Sequence, residues 1–181
     1  MADETEFDRV DVFTTGAIGV PGNRTFYLQA RLGEDISSVR CEKQQAAAIA
    51  QYLRRALAHL PIAEGSRFPE SMALVEPDDE DFVLGSVGLE FDKNSDRFTL
   101  ILREIDIADD TEPDDSDEPD DEAIVGDDDD PSGRTVRISI TRTQALAFCD
   151  QTDRVVAAGR PDCEYCKRPV DPEGHFCPRM N

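Results

Sequence analysis

Four residues near the carboxyl end of the chain have the types and the spacing that bind metal. Cys163, Cys166, His175 and Cys177 follow the pattern Cys-x2-Cys-x8-His-x-Cys. Two thiolates two residues apart can hold one edge of a tetrahedron, and a histidine with a nearby cysteine can hold the opposite edge. Zinc prefers such sulfur and nitrogen ligands, and four protein ligands leave no open position for a substrate. The pattern therefore predicts a structural zinc site.

Two other uses of this cysteine pair stay open at the level of the sequence. A Cys-x-x-Cys pair can form a disulfide or carry out thiol redox chemistry. A zinc ion with one position left for water can instead act as a hydrolytic catalyst. Cys41 and Cys149 have no histidine partner in the sequence, and we expect them to be small buried residues of the core. His59 follows Arg54 and Arg55 at the end of a predicted helix, and we expect it to be a surface residue.

A glycine-rich stretch is the second candidate for chemistry. Gly16, Gly19, Gly22 and Arg24 could offer backbone amides and a guanidinium to a phosphate group. However, this stretch joins two predicted strands, whereas known phosphate-binding loops connect a strand to a helix. The segment Val20-Pro21-Gly22-Asn23 also has proline and glycine where a type II turn needs them. We therefore interpret it as a turn, and keep a phosphate-binding loop as the alternative.

The charge of the chain limits its partners. Its net charge is −21, which argues against nucleic acid and anionic membranes and favours a protein partner with a basic surface. In residues 109–130, 14 of 22 residues are acidic, which predicts a disordered insertion that either stays solvated or docks on a basic face. Without this insertion, 26 acidic residues face 19 basic ones, a net charge of −7.

The amino-terminal residues carry information about location. Residues 1–12 contain five acidic residues and no apolar run, so they do not have the character of a signal or transit peptide. No stretch approaches the ~18 apolar residues of a membrane span. We therefore expect a cytoplasmic protein that does not enter a membrane, in which the cysteines are reduced.

The apolar pattern predicts two helices and six strands. Between Glu42 and Leu60, apolar residues recur three and four positions apart until Pro61 ends the pattern. Thr141 and Gln144 form a capping box that opens the second helix. Strands are predicted at Asp11–Thr15, Arg24–Leu32, Ile36–Cys41, Phe82–Phe91, Phe98–Ile107 and Arg134–Ile140. This is the pattern of an α+β domain with an antiparallel sheet packed on two helices.

The two halves of this pattern resemble each other. The segment Lys43–Ile49 aligns with Arg142–Phe148, and the strand around Phe26 aligns with that around Phe98. We therefore predict two pseudo-repeated strand-strand-strand-helix units, with chance similarity of amphipathic helices as the alternative. The predicted domains are residues 1–160, which include the acidic insertion, and a zinc-binding tail at 161–181.

The chain also resembles a known family. The segments FTTGAIGVPGNRTFYLQAR and CEKQQAAAIA, with a Cys-x2-Cys pair and DPEGHFCPRMN at the end, resemble an uncharacterised actinobacterial domain of unknown function. The resemblance implies that the cysteine and histidine positions of the tail and the glycine-rich turn are shared with that family. It also implies a pathway shared with a histidine-phosphatase-like and a kinase-like protein. It implies no activity.

The leading hypothesis is a zinc-stapled binding or adaptor protein that acts through protein–protein contacts. The alternative is an enzyme or a ligand-binding domain that acts on a phosphorylated small molecule at Gly16–Arg24. No catalytic residue is marked, because one of the two histidines is assigned to the metal and no carboxylate pair stands out among the acids.

Overall fold

The structure is a computed structural model, and it describes residues 4–61, 71–105, 133–159, 163–167, 170 and 177–179. The described residues form seven strands and two helices. In chain order these are β1 (Glu4–Phe7), β2 (Val12–Val20), β3 (Asn23–Leu32), β4 (Asp35–Cys41), α1 (Lys43–Ala58), β5 (Phe82–Asp92), β6 (Arg97–Glu104), β7 (Thr135–Thr141) and α2 (Arg142–Ala157). The chain is therefore an α+β protein, as the sequence predicts.

The seven strands form one sheet in the order β1-β7-β6-β5-β4-β3-β2. Neighbouring strands are antiparallel within the group β2-β3-β4 and within the group β5-β6-β7. The expectation of an antiparallel sheet is wrong at two junctions, because β4 pairs parallel with β5 and β1 pairs parallel with β7. Parallel neighbours need a crossover, and α1 supplies the one between β4 and β5.

Both helices begin with the same capping motif. Each has a capping box in which a glutamine, Gln45 in α1 and Gln144 in α2, accepts a hydrogen bond from the backbone N–H of the N-cap residue. The amide nitrogen of Gln45 donates to the carbonyl oxygen of Leu84 at 3.1 Å, and that of Gln144 donates to the carbonyl oxygen of Val10 at 2.6 Å. These hydrogen bonds attach the start of α1 to strand β5, and the start of α2 to the chain just before strand β2. The common origin of the two units stays a prediction.

The core lies between the sheet and the two helices. The buried faces of the two helices lie there, with Ala46, Ile49, Ala50 and Leu53 on α1 and Ala145, Phe148, Cys149 and Thr152 on α2. Leu57 and Leu60, at the end of the predicted α1 pattern, are only half-buried. Phe13 of β2 stacks on Phe148, with ring centroids 4.6 Å apart and both side chains fully buried. The helices also contact each other, and the thiol of Cys149 donates to the carbonyl oxygen of Ala50 at 3.4 Å.

A chain segment covers part of the sheet face opposite the helices. Gln29 of β3 is fully buried, and its side-chain amide bonds in both directions to the backbone of Val75, at 2.8 and 3.0 Å. The hydroxyl of Thr14 donates to the carbonyl oxygen of Met72 at 2.6 Å. These contacts attach the segment 71–76, which contains no helix or strand, to β2 and β3.

Several predicted boundaries differ from the structure. The strand β2 continues to Val20, so the hairpin turn is only Pro21 and Gly22. Gly22 has φ +98°, as the third position of a type II turn requires. The strand β1 was not predicted, because four residues of which two are charged carry no strand pattern. The predicted disordered insertion 109–130 lies outside the described residues. Among the described residues, no helix is long and apolar enough to cross a membrane.

An ion pair joins Glu104, at the end of β6, to Arg134, just before β7, on either side of residues 106–132. The guanidinium of Arg134 donates to Glu104 at 2.7 and 3.1 Å, and the backbone N–H of Arg134 donates to the same carboxylate at 3.0 Å. These hydrogen bonds lower the pKa of Glu104 to about 2. A carboxyl group with a depressed pKa stabilises the fold above its unfolded pKa of about 4.3, and this contribution is lost as the pH falls towards 2.

The ion pair gives a testable pH dependence. We expect the Glu104→Gln variant to unfold at lower urea concentration than the wild type at pH 6, and the gap to close between pH 4.5 and pH 2. Urea titrations at several pH values measure this gap. Glu34→Gln, at an exposed glutamate, is the control and should follow the wild type. A gap that stays constant across this range would contradict the assignment.

Candidate metal centre

Three cysteines of the tail lie together. The Sγ atoms of Cys163, Cys166 and Cys177 are all within 4.8 Å of one another. Those of Cys163 and Cys177 are 3.8 Å apart, far longer than the ~2.05 Å of a disulfide. Cys163 and Cys177 are buried, and Cys166 is half-buried. Residues fourteen positions apart in the sequence are thus brought to one point, as metal coordination requires.

The local backbone explains how the first two cysteines converge. The N–H of Lys167 donates to the carbonyl oxygen of Cys163 at 2.9 Å, which closes a turn around the Cys-x-x-Cys pair. Arg179 donates to the carbonyl oxygen of Tyr165 at 3.0 Å, and so ties the end of the tail to this turn. The turn and this bond hold the third cysteine against the first two.

The electrostatics of the cluster favour a bound cation. Hydrogen bonds from the backbone, that of Cys166 first, lower the pKa of the Cys163 thiol. Burial, and then the neighbouring sulfurs, raise the pKa of the Cys177 thiol. Three thiolates this close repel one another, so a cation is needed before all of them can ionise together. Soft thiolate ligands select zinc or another soft metal over magnesium or calcium.

The fourth predicted ligand, His175, lies outside the described residues. The structure therefore brings together three of the four predicted ligands, all of them thiols. These three sulfur donors suit a zinc ion, and a histidine nitrogen as the fourth ligand would close the tetrahedron and leave no position for a substrate. A site closed in this way stabilises a fold and does not catalyse hydrolysis.

Lys167 occupies a backbone position that favours glycine. Its φ is +58°, in the left-handed region, where a side chain costs roughly 1–2 kcal/mol. The sequence shows only that a lysine stands where many zinc knuckles have a glycine, and the structure shows the strain that follows.

This strain predicts that two variants at this position differ in zinc affinity. We expect Lys167→Gly to bind zinc as tightly as the wild type or up to about tenfold more tightly, because the strain is removed. We expect Lys167→Val to bind at least about tenfold more weakly, because a β-branched residue is a genuine outlier at positive φ. Competition titration with a chromogenic zinc chelator measures both. Equal affinities for the two variants would contradict the assigned turn.

The two remaining cysteines are buried in the core, as predicted. Cys41 and Cys149 lie in the apolar cluster, with 6% and 1% of their surfaces exposed. Burial raises the pKa of Cys41 to about 12 and that of Cys149 to about 11. Both thiols therefore stay protonated and inert at neutral pH.

The candidate phosphate loop does not form a loop through its full length. Gly16 and Gly19 lie inside β2, paired with Tyr27 and Arg24, so these two glycines belong to a strand and not to a loop. A Cβ atom on Gly16 would lie 2.5 Å from that of Leu74, so this glycine makes room for the covering segment. The guanidinium of Arg24 donates to the carbonyl oxygen of Val155 at 3.4 Å. These positions have structural explanations without a ligand.

The fold and this cluster together define an α+β protein with a candidate metal-binding tail of cysteines. Within that class the chain belongs to the family described as protein of unknown function (DUF3090), whose model matches residues 5–177. The match runs from β1 to Cys177 and so includes both the sheet and the cysteine cluster. The predicted resemblance to a domain of unknown function is thus confirmed, while an actinobacterial origin stays a prediction. No curated protein and no solved structure matches the chain.

Proposed function

We propose that this chain is a zinc-stapled cytoplasmic protein that acts by binding a protein partner. The observation that carries the proposal is the convergence of the three thiols of Cys163, Cys166 and Cys177 within 4.8 Å. Zinc held by these thiols and by His175 is structural, and its role is to order the tail for recognition.

The tail depends on metal because it has little else to order it. The sequence from 161 to 181 contains few large apolar residues, so the tail cannot build a core of its own. Metal binding supplies folding free energy in such segments. Tyr165 is 54% exposed on this tail, and exposed tyrosines are common in protein interfaces. We therefore assign the contact surface to the metal-ordered tail.

The charge of the chain defines the partner. A net charge of −21, with 14 acidic residues in 109–130, attracts a basic protein surface and repels nucleic acid and anionic membranes. We propose that the acidic insertion contributes to the encounter with this partner. The dependence on charge predicts that association slows as salt is added.

A metal-dependence experiment tests this function. The wild type, Cys163→Ser and Cys149→Ser are purified from the native host, and zinc and stoichiometric partner protein are measured for each. Cys149→Ser is a matched control, because it removes a thiol outside the cluster and a serine hydroxyl can also donate to Ala50. We expect the partner with the wild type and this control, and its loss with Cys163→Ser. A partner retained in full by the zinc-free variant would contradict the proposal.

A further inference from the structure

A cavity of about 170 Å³ lies between helix α1 and strand β5, and none of the three clustered cysteines is among the residues that line it. Apolar side chains and a glycine form most of its wall, and among the residues that the structure describes none that lines it is charged. The lining residues are Gln45, Ala48, Ile49, Tyr52, Gly85, Val87, Leu89 and Leu100. The sequence does not reveal it, because the cavity depends on how α1 lies beside the sheet.

The other half of the molecule shows what fills the corresponding place. Ile49 and Phe148 each stand seven residues after the N-cap of their helix. Phe148 stacks on Phe13 of β2, so a pair of fully buried rings lies between α2 and that strand. Between α1 and β5, Ile49 occupies the position that corresponds to Phe148 in the other half.

The strand register locates the second ring. Phe13 pairs with Ala30, four residues after the buried Phe26 of β3. Val87 pairs with Leu102, which is four residues after Phe98, the buried phenylalanine at the same place in β6. Val87 therefore stands where the other half has Phe13. The two stacked rings of one half thus correspond to two smaller aliphatic side chains in the other, and both of these side chains line the cavity.

One wall of the cavity contains a β-bulge in strand β5. The register of β5 against β6 shifts between Leu84 and Ser86, which makes Gly85 the extra residue of a β-bulge. A Cβ atom at Gly85 would lie 2.6 Å from the Cα atom of Ile105, so no larger residue fits there. Bulges of this kind re-aim strands beside binding sites.

The polar groups of the wall are already engaged or lie at the mouth. The amide nitrogen of Gln45 donates to Leu84 and its oxygen accepts from Glu42, so this side chain is used by the helix cap. Tyr52 is 60% exposed and stands at the rim. The interior thus offers van der Waals contact and no site for a buried charge. This chemistry excludes a phosphate group from the cavity.

We propose that this cavity binds one compact apolar ring of a small-molecule ligand, whose polar part stays at the mouth beside Tyr52. The volume supports this class, because a cavity of about 150 Å³ lined by aliphatic and aromatic residues accepts benzene. The stacked rings at the corresponding place in the other half indicate that a flat ring suits the shape of the cavity. The proposal is independent of the metal centre, since none of its residues belongs to the tail.

The test uses indole as the probe and the full zinc-loaded chain. Indole is titrated into labelled protein, and the amide chemical shifts are followed by NMR. We expect saturable shifts confined to α1 and β5. In Ile49→Phe a ring fills the cavity, and the dissociation constant should rise at least about tenfold. Leu146→Phe adds the same ring to an exposed position on α2 and is the matched control, with unchanged affinity.

Three results would overturn the proposal. One is the absence of saturable shifts in a folded wild type, and another is equal affinity in Ile49→Phe. The third is a deletion of residues 106–132 that raises indole affinity, because the occupant would then be a part of this chain. A native mass spectrum from the host adds a separate reading. A small-molecule mass that the wild type and Leu146→Phe carry and Ile49→Phe lacks would support the site.

Discussion

Replacement of Cys163 or Cys166 by serine is expected to release the metal and leave the rest of the fold intact. Each change removes one of three converging thiolates, and a serine hydroxyl is a poor ligand for zinc at neutral pH. Loss of a group that merely orients a ligand costs 10- to 100-fold in metal affinity, so loss of a ligand should cost at least about 100-fold. Metal analysis should fall from one zinc per chain to a small fraction.

The consequence for the tail is measurable by limited proteolysis. The tail carries Lys167, Arg168 and Arg179, at which trypsin can cleave once the metal no longer orders the backbone. We expect rapid cleavage there in Cys163→Ser, or in the wild type with a strong chelator, and slow cleavage in the zinc-loaded wild type. Cys149→Ser should behave as the wild type. Equal cleavage rates with and without metal would show that the metal does not order the tail.

Truncation of Phe148 to alanine is expected to have the largest effect on the stability of the core. The ring is fully buried and stacks on Phe13 with centroids 4.6 Å apart. Phenylalanine-to-alanine changes in such sites lower the free energy of unfolding by about 3–5 kcal/mol, from lost apolar burial and from the cavity that remains. Urea titration followed by circular dichroism measures the loss as a lower midpoint.

The corresponding change in the other helix is a matched comparison. Ile49 stands at the same distance from its N-cap but borders the existing cavity. We expect Ile49→Ala to cost about 2 kcal/mol, the lower end for such a change, because fewer neighbours lose contacts. A loss as large as that of Phe148→Ala would contradict the asymmetry between the two halves.

Local patterns in the sequence predict the two helices and mark the three tail cysteines that lie together in the structure. The three-and-four spacing of Ala46, Ile49 and Leu53 marks the buried face of α1 because a helix repeats every 3.6 residues. The box of Thr141 and Gln144 marks the start of α2 because it satisfies orphan backbone groups at that end. The Cys-x-x-Cys spacing likewise sets a local geometry. Each of these signals is contained in a few neighbouring residues.

Features that depend on distant contacts were not predicted. The parallel pairing of β4 with β5 follows from how α1 crosses the sheet, which no local pattern encodes. The covering segment 71–76 is held by Gln29 and Thr14, polar residues that a strand pattern assigns to the solvent side. The cavity was not predicted either, because the correspondence of Val87 with Phe13 can be seen only once the strand register is known. Long-range packing decides each of these.

Native mass spectrometry of the protein purified from its own host tests the zinc-stapled binding protein most directly. One spectrum reports bound metal and stoichiometric partner together. We predict the mass of the chain with one zinc ion, in complex with a basic protein that is released when the zinc is removed. A chain that carries no metal under conditions that preserve zinc sites in other proteins would contradict the account.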